Sequence, residues 1–381
     1  MSGFLTASSV EEALALAAAD AAANANAADV QTERAGAAAA PGAAGVETDG
    51  AEALRVLDLH CDTLDRLVLS GDPTVPGGFY EHNAGVPRAR MSRLDDNDGD
   101  VSLARTAAFR WCQCFAVFVP DQLRGDAAWA LFERVRGFWE AERARCADKL
   151  AAVRDGEEVR AAFAAGKTAG VLTVEGCSFL EDDAAAEVRL DALAAAGVRM
   201  ATLTWNAPNA LGSGHDTDAG LTAFGRRMVR GLEARGIAVD ASHLNDAGFR
   251  DLLDAAELPF ACSHSNARAV CGHPRNLEDW QLREIAARGG VVGLNFHRGF
   301  LRDDGADATP DDLLRHADRI LNVAGEGALA LGSDYDGSDV PSWLTPCDAV
   351  VTLHERFAGA FGRATADRIF FGNAARFLFG L

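Results

Sequence analysis

The sequence predicts an α/β protein built as a (β/α)8 barrel, in which eight parallel strands alternate with helices around a closed sheet. Short apolar runs of strand length alternate with longer segments of helical periodicity. The chain has 381 residues, 49% of them hydrophobic, which is enough for one large core with an extension. Side chains that can bind metals or transfer protons follow most of the runs, at the edge where barrels carry active sites. An open, doubly wound sheet is the alternative.

The predicted strands are apolar runs rich in Val, Ile, Leu, Phe or Ala, namely residues 55–60, 112–118, 170–175, 199–205, 237–243, 259–264, 290–296 and 328–334. Helix-length segments separate most of them, and residues 221–232 have the apolar spacing of an amphipathic helix. Asn245 and Thr309 each precede such a segment, and both residue types cap helix N-termini. Helices are therefore predicted to begin just after these two residues.

The first 54 residues differ from the rest of the chain. They are rich in alanine and acidic, and they hold almost no large apolar residue after Leu16. A capping-box pattern at residues 8–12 predicts a short helix, and residues 35–50 have the composition of a flexible linker. The sequence thus predicts a largely flexible extension, residues 1–54, followed by a barrel domain, residues 55–381.

Charge and cysteine content restrict the partners and the compartment. The formal net charge of −20 predicts repulsion of nucleic acid and of anionic membrane surfaces, and we identify no basic patch with interleaved aromatic residues. The eight cysteines are scattered without a Cys-x-x-Cys motif, which favours buried free thiols over a disulfide framework.

The N-terminus lacks the early positive charge and unbroken apolar stretch of a signal peptide, and no window approaches a membrane span. The expected location is the cytoplasm.

Candidate metal ligands stand at the ends of four predicted strands. His60 and Asp62 end the first strand, and their spacing of two residues lets both side chains aim at one point. His243 and His264 end two successive strands, so their imidazoles can share a second metal. Glu175 ends an earlier strand, and its two oxygens can bridge a metal pair. Two ions about 3.5–4 Å apart would activate a bridging hydroxide at neutral pH.

Other readings of these residues remain open one by one. A single histidine at a strand end is often structural, and a glutamate before glycine is often a cap or turn residue. Some binuclear barrels bridge their metals with a carboxylated lysine, but Lys149 and Lys167 do not stand at strand ends here. The prediction of a metal site depends on the five residues jointly.

Three further residues carry possible chemistry. Asp334 ends the last predicted strand, where a carboxylate can take a proton from an attacking water and return it to a leaving amine. Asp336 lies two residues further on, so on a continued strand its side chain would point the same way, and it is the alternative for this role. The Asp336-Gly337 pair, however, favours a turn. Arg275 follows the strand of His264, and its guanidinium could clamp a substrate carboxylate.

Together these motifs resemble the membrane (renal) dipeptidase family of zinc peptidases, within the amidohydrolase superfamily. The matching stretches keep the order of the family from about residue 56 to the end, and they are residues 58–64, 113–116, 174–176, 203–206, 240–243, 263–268, 273–276, 293–296, 332–337 and 372–376.

The resemblance implies a (β/α)8 barrel with two Zn²⁺ ions and a function in dipeptide hydrolysis. It implies that His60 and Asp62 hold one zinc, that His243 and His264 hold the other, and that Glu175 bridges them. It further implies Asp334 as the acid/base and Arg275 as the anchor of the terminal carboxylate. Members often tolerate a D-residue at the C-terminal position, some open β-lactams, and many are dimers, so a homodimer is expected.

One position departs from the family pattern. Eukaryotic members carry histidine where this chain has Trp205, in the stretch Leu-Thr-x-Asn, and that histidine is thought to steady the tetrahedral intermediate. An indole N–H can donate a hydrogen bond but cannot titrate. Trp205 and Asn206 are predicted to contact substrate, and Asn206 or His215 could supply the missing donor.

We therefore predict a metallo-dipeptidase that attacks the peptide bond with a metal-bridging hydroxide. The nearest alternative is another hydrolase on the same barrel, such as a lactonase or a cyclic-amide or β-lactam hydrolase. An alternative from another class is a catalytically silent barrel that binds peptides. The complete set of predicted ligands, with Asp334 beside it, argues against the silent barrel.

Overall fold

The computed structural model describes residues 53–69, 90–304 and 306–381. The predicted N-terminal extension falls almost wholly outside these ranges, because residues 1–52 are not among them. The division into an extension and a barrel domain therefore stays a prediction.

A closed barrel of eight parallel strands forms the centre of the protein. The described strands are β1 (Arg55–Cys61), β2 (Arg110–Phe118), β3 (Leu150–Ala152), β4 (Thr168–Glu175), β5 (Val198–Thr202), β6 (Ala238–Asp240), β7 (Ala261–Cys262), β8 (Val291–Leu294) and β9 (Leu329–Leu331). Their order is β2-β1-β9-β8-β7-β6-β5-β4, and pairing of β2 with β4 closes the ring. The prediction of a (β/α)8 barrel is confirmed, and the doubly wound sheet is wrong because an open sheet has two unpaired edges.

The strand β3 was not predicted from the sequence. It pairs only with the first three residues of β4, at positions 168–170. From Leu172 onward, β4 pairs with β5 instead. It therefore lies outside the eight-stranded ring. Its three residues are too few to show the alternation that identifies a strand.

Five strands end earlier than the apolar runs predicted. Predicted strand 237–243 is paired only over residues 238–240, and predicted strand 328–334 only over residues 329–331. The residues lost from these strands include His243 and Asp334, whose backbones adopt positive φ angles of 71° and 64°. A left-handed residue cannot continue a strand, so these functional candidates lie in loops just beyond the sheet.

Helices surround the barrel and connect its strands. The α-helices of the described part of the chain are Thr63–Leu69, Leu103–Thr106, Gly125–Arg145, Gly156–Ala164, Ala185–Ala196, Ala223–Ala234, Asp246–Ala255, Asp279–Ala287, Arg298–Leu301, Pro310–Ala324, Val350–Phe361, Arg363–Asp367 and Asn373–Phe379. A 3₁₀ turn (Cys347–Ala349) and a π-helical turn (Arg368–Gly372) complete the set. Both predicted helix starts are confirmed: the Asn245 side chain accepts a hydrogen bond from Gly248 N at 2.7 Å, and Thr309 forms a capping box with Asp312.

The end of the barrel at which the strands begin is covered by the C-terminal helix. Leu378 packs in one buried cluster with Leu57 of β1 and Cys112 of β2. Arg199, near the start of β5, donates a hydrogen bond to the carbonyl oxygen of Leu378 at 3.3 Å. This end is apolar and filled, which leaves the opposite end for polar chemistry.

All eight cysteines are buried and free, which confirms the prediction of buried thiols without a disulfide framework. Among the helices of the described ranges, none combines the length and the apolar character needed to cross a membrane.

Replacing Leu378 with alanine should destabilise the barrel without altering its chemistry. The side chain is 5% exposed and its loss leaves a cavity, so we expect the free energy of unfolding to fall by about 2–4 kcal/mol. Thermal or urea unfolding measures this change. Leu258→Ala is the matched control, because Leu258 is 51% exposed and should cost less than about 0.5 kcal/mol. Equal losses for the two variants would contradict the proposed packing.

Candidate active site

The five predicted metal ligands converge at the end of the barrel where the strands finish. Glu175 Oε2 lies 3.3 Å from His60 Nε2. Glu175 Oε1 lies 2.6 Å from His243 Nε2 and 3.7 Å from His264 Nε2. One carboxylate therefore presents each of its oxygens to a different group of imidazoles, as a bridging ligand would.

The predicted first-strand pair meets this centre from the other side. His60 Nε2 lies 3.4 Å from Asp62 Oδ2 and 4.0 Å from Asp334 Oδ1. The ring of His60 stacks on that of His264 with centroids 3.9 Å apart. At this centre there are two sets of residues whose potential ligand atoms lie within 4.8 Å of one another: His60 with Glu175 and His264, and His60 with Asp62 and Asp334.

This donor set fits a metal cofactor. Imidazole nitrogens and carboxylate oxygens are the ligands that zinc takes in catalytic sites. His60 Nε2 and Asp62 Oδ1 are buried and have no hydrogen-bond partner within the described part of the chain. Buried polar atoms normally have partners, so these atoms are placed to receive a cation.

The electrostatics of the centre point the same way. Burial, reinforced by the charge of Asp62, raises the pKa of Glu175 to about 7. Burial alone would lower the pKa of His60, but Asp62 and Glu175 together raise it well above its usual value. Burial and the charges of neighbouring cationic groups hold the pKa of His243 and of His264 well below the usual range. The imidazoles of His243 and His264 are thus neutral beside buried acids, an arrangement that a cation would stabilise.

The imidazole of His243 is held by Asn206. The Nδ1 atom of His243 lies 3.0 Å from Asn206 Oδ1, so it carries the proton and leaves Nε2 free to face Glu175. Asn206 was expected to contact substrate. The structure places its side-chain oxygen against His243 instead, which assigns it a positioning contact, and its substrate contact stays a prediction.

A second chain of hydrogen bonds holds His264, and its members were not predicted. His264 Nδ1 lies 2.7 Å from Ser263 Oγ, and the Ser263 hydroxyl donates to the buried carboxylate of Asp240. Asp240 also accepts from the backbone N–H of Ser242 and of Ser263. The sequence signal was the Asp-x-Ser-His pattern before His243, but the partner Ser263 comes from the next strand and is not visible in that pattern.

Asp334 has one oxygen held and one directed to the centre. Asn295 Nδ2 donates to Asp334 Oδ2 at 3.0 Å, whereas Oδ1 faces His60. Among the described residues other than glycine, only His243, Asp334 and Asp336 have positive φ angles. Strained backbone of this kind is typical of functional sites, where the surrounding structure holds it in place.

Asp336 lies in the predicted turn, but its carboxylate is fully buried. It accepts hydrogen bonds from Thr63 Oγ1 at 2.6 Å, Arg66 at 2.6 Å and Asp100 N at 2.7 Å. Both of its oxygens are engaged in tying the turn to neighbouring segments. Asp334, with one oxygen facing His60, is therefore the better placed of the two for proton transfer. The residue after Asp336 must be glycine, because a Cβ atom at Gly337 would collide with the carboxylate of Asp62.

Arg275 is a buried guanidinium without a carboxylate partner in the described residues. It is 4% exposed, its Nε has no hydrogen-bond partner, and its one hydrogen bond through the guanidinium is a 3.4 Å contact to the carbonyl oxygen of His264. A buried charge normally has a partner, so this arrangement is suited to an incoming anion.

Trp205 borders the site next to His243. Its ring centroid lies 6.3 Å from that of His243 and 5.0 Å from that of Phe118, in an edge-on contact. Phe118 pairs with Glu175 across the sheet, so this aromatic pair lies on the side of the centre nearest β2 and β4. The position is consistent with the predicted contact to substrate, which stays a prediction.

Comparison with known proteins relates the chain to peptidases. A family model described as membrane dipeptidase (peptidase family M19) matches residues 22–376. The "uncharacterized protein in pqqA 5′ region" of Klebsiella pneumoniae is 39% identical over 201 residues, which cover 50% of this chain and 74% of that protein. An uncharacterized dipeptidase of Schizosaccharomyces pombe is 36% identical over 179 residues, which cover 45% of this chain and only 42% of that protein.

A solved structure with a bound dipeptide mimic is also similar. The crystal structure of a metallopeptidase from Rhodobacter sphaeroides, liganded with a phosphinate mimic of the dipeptide L-Ala-D-Ala, superposes with a TM-score of 0.74. The two sequences are 27% identical, and the match covers 86% of this chain and 99% of that one.

Ser263→Ala should weaken metal retention without unfolding the protein. The change removes the hydroxyl that orients His264, and such supporting contacts are typically worth 10–100-fold in metal affinity, roughly. Competition with a chromophoric chelator measures the affinity. Ser265→Ala is the control, because Ser265 is also a buried serine beside His264, but its hydroxyl makes no hydrogen bond to a nitrogen or oxygen atom of the described residues. This change should have little effect on metal affinity. Equal affinities for wild type and Ser263→Ala would contradict the role of this hydrogen bond.

Proposed function

The chain belongs to the membrane dipeptidase family, peptidase family M19, and we propose that this metal-dependent dipeptidase uses two zinc ions to hydrolyse dipeptides. We propose further that it accepts a D-residue at the C-terminal position. The observation that carries the proposal is the position of Glu175, whose two oxygens face His60 on one side and His243 with His264 on the other. The D-residue is supported by the L-Ala-D-Ala mimic bound to the similar Rhodobacter sphaeroides protein.

The proposed ligands divide into two groups around one carboxylate. His60 and Asp62 would hold one zinc ion, His243 and His264 would hold the other, and Glu175 would bridge the pair. The nitrogen and oxygen donors, their burial and the unpartnered atoms of His60 and Asp62 support this division. Bound zinc ions would polarise the scissile carbonyl and make a water nucleophilic at neutral pH.

Asp334 moves the proton in this proposal. Its Oδ1 faces the centre, so it can accept a proton from the attacking water and deliver it to the departing amine. Asn295 holds the other oxygen and so fixes the direction of the free one. The same neighbour contacts the backbone of His264 at 3.3 Å, which ties the position of the proton carrier to that of a proposed metal ligand.

Arg275 anchors the free carboxylate of the substrate. Its buried guanidinium lies beside His264, so an anchored carboxylate would hold the neighbouring peptide bond next to the centre. A substrate that is fixed by its terminal carboxylate is cleaved at its last peptide bond, as a dipeptide is, and not at the internal peptide bonds of longer chains.

Location and assembly complete the proposal. Eight buried free thiols support a reducing compartment such as the cytoplasm. A homodimer stays a prediction of the resemblance.

The function is tested by metal analysis combined with a substrate panel. We expect two zinc ions per chain by mass spectrometry, and turnover of L,L- and L,D-dipeptides by the zinc-loaded protein. Lactones and a β-lactam complete the panel. Turnover of these cyclic substrates without turnover of dipeptides would favour the alternative hydrolase, and absence of metal would favour the silent barrel.

Asp334→Asn should retain zinc but lose turnover. The amide keeps the size of the side chain and cannot carry the proton, so we expect kcat to fall by roughly 10²–10⁴-fold. Zinc content and kcat are measured on the same preparation. Asp218→Asn is the control, since Asp218 is an exposed carboxylate and should leave kcat close to wild type. Near-normal turnover by Asp334→Asn would remove Asp334 from the mechanism.

Arg275→Ala should mainly weaken binding of dipeptides with a free carboxylate. Loss of a charge-assisted hydrogen bond is worth about 1.5–3 kcal/mol, which predicts a KM roughly 10–100-fold higher. Dipeptide amides lack the carboxylate charge and should lose much less. Equal losses on dipeptides and their amides would contradict the anchor.

A further inference from the structure

Three histidines surround Arg275 at the mouth of the barrel, and we refer to His215, His273 and His297 as the imidazole rim. The rings of His273 and His297 pack on Phe300 with centroid distances of 4.5 and 4.4 Å. The guanidinium of Arg275 lies 5.5 Å from the centroid of the same ring. The ring of His215 meets that of His273 edge-on at 6.0 Å.

Backbone contacts fix the position of His215 relative to the loop of His243. Gly214 forms an antiparallel bridge with Leu244, the residue that follows His243. Asp216 N donates a hydrogen bond to the carbonyl oxygen of Asn206 at 3.0 Å. His215 is therefore held on both sides by the two loops that also position His243.

The imidazole of His215 has an unused hydrogen-bonding atom. Its Nδ1 is buried and finds no partner in the residues that the structure describes, and the side chain is 20% exposed. Burial, with a smaller contribution from the positive charge of Arg275, lowers the pKa of His215 to about 4. The ring is therefore neutral at neutral pH and has one N–H to donate.

The other two members of the rim are less suited to receive an anion. His273 Nδ1 accepts a hydrogen bond from Arg275 N at 3.2 Å, so this atom is already engaged. His297 lies where the negative charges of Asp334 and Asp339 act on it, which would repel a carboxylate. For His215, the positive charge of Arg275 acts on the ring, and the exposed carboxylate of Asp216 lies 3.8 Å from Nε2, the other nitrogen of the ring.

We propose that His215 is a second anchor for the C-terminal carboxylate of the substrate, donating a hydrogen bond from its Nδ1 to one oxygen while Arg275 binds the other. This inference rests on the proposed function, because it assigns a residue to the same substrate. A carboxylate has two oxygens with several lone pairs, so a guanidinium and an imidazole can share it. Two donors on one carboxylate fix its orientation, and hence the direction of the adjoining peptide bond, better than one.

The direct test is binding of L-Ala-D-Ala and its C-terminal amide to the zinc-loaded Asp334→Asn variant, in which turnover does not interfere. Adding His215→Ala should raise the Kd of the dipeptide roughly tenfold, since the lost hydrogen bond is to a charged group. The Kd of the amide should change less than about threefold. Adding His215→Asn instead should restore most of the dipeptide affinity, because the amide nitrogen of asparagine can occupy the place of Nδ1. Asp218→Asn, an exposed residue on the same loop, is the control for loop disturbance.

Kinetics with Asp334 intact separate this role from the alternatives. We expect His215→Ala to raise KM for dipeptides and to leave kcat within about threefold. A loss confined to kcat would overturn the proposal and indicate a hydrogen bond made only in the transition state. Equal losses of affinity for dipeptide and amide, or no loss for either, would also overturn it. Wild-type protein that neither hydrolyses nor binds dipeptides would refute the proposed function itself. Normal wild-type turnover with an unchanged His215→Ala would refute this inference alone.

Discussion

Burial of the Glu175 carboxylate among three imidazoles is the constraint on which the rest of the site depends. A carboxylate that is only 4% exposed needs a compensating charge or proton. Other buried acids lie beside it as well as imidazoles. Protonation of these groups does not give His60 Nε2 and Asp62 Oδ1 a hydrogen-bond partner within the described residues. A pair of cations, as we propose, would satisfy these groups together. The apolar cluster fills the opposite end of the barrel and so excludes water from that side. The surrounding structure also holds the left-handed backbone of His243 and Asp334 in place.

The hydrogen bonds around the centre give the imidazoles of His243 and His264 a defined direction. Asn206 fixes His243, and Ser263 with Asp240 fixes His264, so that both Nε2 atoms face Glu175. The substrate side of the site is organised differently. There the charge of Arg275 is left without a carboxylate within the described ranges, and the imidazole rim around it is neutral. In the proposed site, acidic side chains would surround the metal ions, whereas Arg275, which has no carboxylate partner in the described ranges, would bind the anion.

The sequence predicted the barrel and the residues that converge because both follow from local pattern. An apolar run that ends in His60, Glu175 or His264 places that side chain at the carboxyl edge, whatever the rest of the fold does. The loop positions of His243 and Asp334 were not predicted, since their positive φ angles have no signature in hydrophobicity. Ser263 and Asp240 were missed for another reason: their function lies in contacts between neighbouring strands, and one sequence does not show which side chains meet there.

The central claim is that Glu175 joins two cations, and a crystal structure of the zinc-loaded protein with anomalous data at the zinc edge tests it most directly. The account predicts two anomalous peaks about 3.5–4 Å apart, each about 2.0–2.2 Å from a different oxygen of Glu175. His60 and Asp62 should ligate one ion, and His243 and His264 the other. A single peak, or two peaks that Glu175 does not contact, would contradict the account.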